Sequence, residues 1–120
     1  MLSTIVIRLF INAVALWAAA AVLPGMTLAG GFWGILLVAA IFGLVNALVR
    51  PIILFLSIPL LILTLGLFTL VVNALMLLLT AVFTDHLMVD GFWWAVLGAV
   101  LISVVSFLLS AFLDEERRAR

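Results

Sequence analysis

The sequence predicts an all-α polytopic membrane protein. It reads as four transmembrane helices, a short re-entrant or interfacial helical segment, and an internal parallel repeat. Three observations carry this. Of 120 residues, 70% are hydrophobic and 8% charged, whereas a soluble domain is close to half apolar and a quarter charged. The apolar residues form blocks long enough to cross a bilayer. Two short motifs, Asn-Ala and Gly-Phe-Trp, each recur at nearly the same separation. A globular core could not hide so much apolar side chain, so the expected solvent is lipid.

The first span is 4–23, apolar apart from Thr4, Arg8 and Asn12, and it ends at Pro24-Gly25. Twenty helical residues rise about 30 Å, which matches the hydrocarbon layer. The run from Leu9 to Leu23, with alanines Ala18 to Ala21, has a signal peptide's composition but is long for one. It is therefore expected to be retained. The stretch PGMTLAGG, 24–31, is turn chemistry.

The second span is 32–49, closed by Arg50-Pro51. The apolar block 51–83 is too long for one untilted crossing, and Pro59 and Gly66 interrupt it. Its second part, 66–83, reads as the third span; its first part, 52–65, is short for a crossing. A polar loop, 84–90, precedes the fourth span, 92–113, and a charged tail, 114–120, follows.

Charge placement orients the chain. There is no lysine, and the arginines are Arg8, Arg50, Arg117, Arg118 and Arg120. If 52–65 does not cross, all five face one side, and the arginine-free loops 24–31 and 84–91 face the other. That is the positive-inside pattern, with both termini cytoplasmic. If 52–65 does cross, the tail lands opposite Arg50, against that pattern. The competing reading makes 51–83 one tilted, kinked helix.

The repeat aligns Asn12-Ala13 with Asn73-Ala74 and Gly31-Phe32-Trp33 with Gly91-Phe92-Trp93. Each unit is helix, outward loop, helix, so the two units run the same way.

Within the spans, few residues carry chemistry. Trp33, Trp93 and Trp94 follow the outward loops and suit an interfacial aromatic belt. Trp17, deeper, reads as packing or lipid-facing. Ala39, Gly43 and Ala47, like Ala95, Ala99 and Ser103, form stripes of small residues that let helices approach closely, within the chain or between copies. Asn12, Asn46 and Asn73 should face inward and bond across helices, or line a polar path. Asn12 is the candidate partner of Asn46, because Arg8/Asn12 and Asn46/Arg50 share one spacing in mirror order. Arg8, Asn12, Gly43, Asn46, Arg50 and Asn73 thus form the expected polar and packing cluster. Arg8 and Arg50 are expected to snorkel to the head groups at its edge, and Pro51 to stop the second helix.

The absence of cysteine excludes disulfides and thiolate chemistry, and no basic footprint suggests nucleic acid. Asp85, His86 and Asp90 form a weak metal-ligand pattern that reads better as a solvated loop. Ser103, Ser106 and Ser110 have no visible base and suit helix–helix hydrogen bonding. No catalytic constellation, metal site or cofactor motif is present in the sequence.

RLFINA, LVNALVRPIILFLSIPLLILTLGLF, VVNALMLLLTAVF and DGFWWAVLGAVLISVVSFLL together resemble the four-transmembrane phage-holin-like family over about residues 5 to 113. NALVRP followed by LTLGLF is the most specific part. The resemblance implies a small bacterial inner-membrane protein without enzymatic activity. The name also implies accumulation, oligomerisation and membrane lesions. The expectation is a self-associating envelope protein, or one that binds another membrane protein. The alternatives are a true lesion-forming holin and a small-solute or ion transporter or channel.

Overall fold

A computed structural model describes residues 2–64 and 66–119, the last five of these as backbone only. The elements are α1 (Leu2–Val22), β1 (Met26–Leu28), α2 (Gly31–Leu48), α3 (Arg50–Leu56), α4 (Ile58–Leu63), α5 (Phe68–Phe83), β2 (Leu87–Val89) and α6 (Phe92–Ala119). Three helical stretches, Leu2–Val22, Gly31–Leu56 and Phe92–Asp114, are long and apolar enough to cross a membrane; α5 is a shorter apolar helix. The protein is an all-α polytopic membrane protein.

The loops 24–31 and 84–90 are not plain turns. They contain β1 and β2, which pair antiparallel as Met26 with Val89, Thr27 with Met88 and Leu28 with Leu87. Two further bonds flank the strands: Ala29 N–H donates to His86 O, and Asp90 N–H donates to Gly25 O, both at 2.8 Å. A shift of 61 residues carries Gly25 to His86 and Ala29 to Asp90, and so turns one of these bonds into the other. The register is therefore symmetric about the Thr27–Met88 pair. Pairing also satisfies backbone groups that irregular loops would leave exposed near lipid.

The sheet ties both loops to one end of the bundle. Each helix of a pair then runs from or toward that end. α1 packs on α2 and α6, and α5 packs on α6 and α2, which closes a ring of four. Leu16, Val38, Met76 and Leu77 are fully buried at its centre, and Met26 and Leu87 fill it from the sheet. Trp17, Leu44, Val82 and Phe107 stand out from the bundle. This apolar exterior is the inverse of a soluble surface and suits lipid contact.

Pro51 does not stop the helical path. Val49 N–H bonds to Val45 O, and Ile53 N–H to Val49 O. The missing proline N–H forfeits one bond and the chain bends instead of ending. Ser57 N–H bonds to Ile53 O and Leu61 N–H to Ser57 O, so α3 runs into α4 across a second kink before Pro59. Gly66, with φ 89°, then turns the chain into α5. The segment leaves and returns at the end remote from the sheet. A re-entrant segment would need cover from neighbouring helices. Instead α3 and α4 contain no buried residue, and Phe55 and Leu63 point outward. Helical backbone bonds most of its own polar groups, so exposure of these turns is tolerated away from the proline kinks.

α6 continues as helix to Ala119, so the expected charged tail extends that helix. The side chains of Arg117, Arg118 and Arg120 lie outside the described residues.

Candidate functional site

The small-residue stripes produce the site. Ala39, Gly43 and Ala47 on α2 and Ala99 and Ser103 on α6 face toward α1 across a cleft of about 860 Å³. Side chains this short cannot fill the space between helices held apart by the larger residues nearer the sheet. Ala39 and Ala99 are buried where the helices close, and Ala47 and Ser103 are exposed where they open.

All six residues of the expected cluster line this cleft: Arg8, Asn12, Gly43, Asn46, Arg50 and Asn73. Ser103, Ser106 and Ser110 join them from α6. Counting from the sheet end at 1.5 Å per residue arranges the polar groups in tiers. Asn12, Asn73 and Ser103 lie about 15 Å from that end, Arg8, Asn46 and Ser106 about 21 Å, and Arg50 and Ser110 about 28 Å. The cleft thus runs from roughly the bundle's mid-depth to the end remote from the sheet. Toward the sheet it ends at the buried Ala39 and Ala99, and the fully buried Leu16, Val38 and Leu77 pack the bundle beyond them. It is a one-sided pocket.

The hydrogen bonding differs from the sequence expectation. Asn46 Nδ2 donates to Phe42 O at 2.7 Å, within its own helix. It does not bond Asn12. The reason is local: an amide four residues after a carbonyl reaches it without any tertiary constraint. Asn12 instead packs its Nδ2 against Gly43, where an added Cβ would come within 3.2 Å. Asn73 Oδ1 and Arg50 Nε are enclosed and have no hydrogen-bond partner. Arg50 as a whole is half-buried, with its Nε enclosed at the start of α3. Arg8 is exposed at the mouth. Among the described residues no acidic side chain lines the cleft.

The tryptophans divide. Trp33 and Trp93 are strongly exposed, each edge-on to the preceding phenylalanine at 5.4 Å. Trp94 is half-buried and its indole packs on Gly25. At the related place in the other loop the sizes are exchanged: His86 packs on Gly30 and near Gly34. Asp85, His86 and Asp90 do not gather into a metal-ligand cluster among the described residues. Sequence reasoning missed the serines as cleft residues. The signal was their spacing, since 103, 106 and 110 fall on one helical stripe with Ala99.

A family described as mycobacterial 4 TMS phage holin, superfamily IV, matches residues 3–108. The chain belongs to this family. Among its relatives is an uncharacterized protein of Streptomyces coelicolor, 52% identical over 118 residues that cover 91% of this chain and 94% of the relative. Another is the uncharacterized membrane protein YvlD of Bacillus subtilis, 31% identical over 86 residues, 71% of this chain and 72% of the relative. No solved structure matches the chain. Family membership and the apolar helices make it a bacterial membrane protein of the phage-holin type.

Proposed function

We propose that this family member is a non-enzymatic protein of the bacterial inner membrane that works by binding a membrane-embedded partner in its polar cleft. Both termini are then cytoplasmic, with the cleft opening to the cytoplasmic side and the sheet outside. The single observation that carries this is the gathering of three amides, three serines and two arginines around one dead-ended cleft. Intramembrane polar groups are costly to place and mark functional surfaces. The shared position of both loops at the sheet end supports the topology, because it returns segment 50–67 to the side it left.

The same geometry favours binding over lesion formation. A lesion needs an outward face that tolerates water in an oligomer. Here the outward faces carry Trp17, Leu44 and Phe107, and the polar groups turn inward. A channel would need a second opening, and the apolar floor stands in its way. Self-association through the outer apolar faces is compatible with the cleft. The symmetric strand register and the exchanged bonds at Gly25 and His86 support descent from a duplicated helix–strand–helix unit.

Controlled expression in a bacterium, with membrane potential followed by a dye, tests the choice. The binding reading expects normal potential at high expression. Prompt depolarisation would replace it with the lesion-forming one. Ala47→Cys, on the cleft wall of a chain without cysteine, tests the cleft itself: it should react with a water-soluble maleimide from the cytoplasmic side.

A further inference from the structure

We infer that the cleft is a head-group site for an anionic phospholipid of the phosphatidylglycerol type, with Arg8 and Arg50 holding the phosphate. This rests on the reading of the cleft as a binding site. Two guanidinium groups face one cleft whose described lining has no carboxylate. An anionic partner stabilises charges so placed beside a low-dielectric bundle. Arginine presents a planar fork of donors that matches phosphate oxygens. Arg50 is half-buried, and its enclosed Nε has no partner within the protein.

Depth selects a lipid. Arg50 lies about 28 Å from the sheet end, close to the ~30 Å thickness of the hydrocarbon layer, so it stands at head-group level. Ile5 and Leu44 line the cleft and are exposed on the bundle surface, which gives acyl chains a continuous apolar path outward. A volume of about 860 Å³ is that of a small-molecule site and is far larger than a phosphate ion requires. Zwitterionic head groups instead bring a cation beside two arginines, so phosphatidylcholine should be rejected.

The test uses the full chain in nanodiscs of phosphatidylglycerol or phosphatidylcholine, with native mass spectrometry for retained lipid and maleimide labelling of the Ala47→Cys variant for occupancy. Phosphatidylglycerol should be retained about tenfold better than phosphatidylcholine, which corresponds to one charge-assisted contact. It should also slow labelling of the Ala47→Cys variant several-fold. Arg8→Gln and Arg50→Gln should each abolish the preference, while Arg50→Lys, which keeps charge without the fork, should retain part of it. Arg8 is exposed, so Arg8→Gln carries the test should Arg50→Gln fail to fold. Arg117→Gln with Arg118→Gln should leave it unchanged; loss there would mean general surface attraction and overturn the site. Inorganic phosphate that protects Ala47→Cys in phosphatidylcholine as well as phosphatidylglycerol does would assign the site to free phosphate and overturn the lipid. Equal retention of both lipids with Ala47→Cys still labelled overturns the lipid and leaves the cleft standing. An unreactive Ala47→Cys in every lipid sinks the cleft reading itself.

Discussion

The indole of Trp94 occupies the space where a side chain on Gly25 would begin. This contact locks α6 onto the loop that leads into β1, and Asp90 N–H closes the same loop by donating to Gly25 O. Gly25 is needed here for room, since its φ is not among the positive ones.

Gly25→Ala should therefore destabilise the protein by about 1–3 kcal/mol, the usual range for overpacking a filled site. Thermal unfolding in detergent measures it. Combining it with Trp94→Ala should cost less than the sum of the two single changes, because each relieves the other's clash or void. Strict additivity would show that the two residues do not share this space.

Gly43 and Asn12 form a second close approach, between α2 and α1. Gly43→Val should force these helices apart at a cost of about 1–3 kcal/mol. Asn12→Ala in the same chain should recover part of the loss. An unchanged melting temperature in Gly43→Val would mean that α1 does not pack there.

Asn46 and Asn73 should respond differently from a cross-helix glue. Asn46 bonds its own helix at Phe42 O, so Asn46→Leu should change stability by less than about 1 kcal/mol. Asn73 Oδ1 has no partner, so Asn73→Leu should be neutral or stabilising in detergent. A large loss in Asn46→Leu would restore the cross-helix bond that the sequence suggested.

Topology has a direct test. Met88→Cys, exposed on β2, and Ala47→Cys, exposed on the cleft wall, should label from opposite sides of the membrane. Labelling from the same side would contradict the inside–outside assignment and move the cleft mouth to the wrong leaflet.

Much of the site is legible in the sequence. In a chain this apolar, each polar residue within a span must face protein or water. Arg8, Asn12, Asn46, Arg50 and Asn73 therefore had to converge on an interior, and four-residue steps placed Gly43 among them. Their actual bonds were not legible. Whether Asn46 reaches Asn12 or its own Phe42 carbonyl depends on helix separation, and a stripe of small residues does not set that distance by itself. The serines were seen but assigned to helix contacts, because only the closing of the ring turns their stripe toward the arginines.

Composition and spacing alone determined that lipid is the solvent and where the apolar blocks lie. These follow from transfer energies and from the rise of a helix, which are local properties. Tertiary structure decided that the two loops pair as a sheet, that Trp94 seats on Gly25, that the path bends at Pro51 instead of stopping, and that the cleft is closed at one end. Each of those depends on how segments are placed against one another, and a pairing of surfaces is not a property of either one.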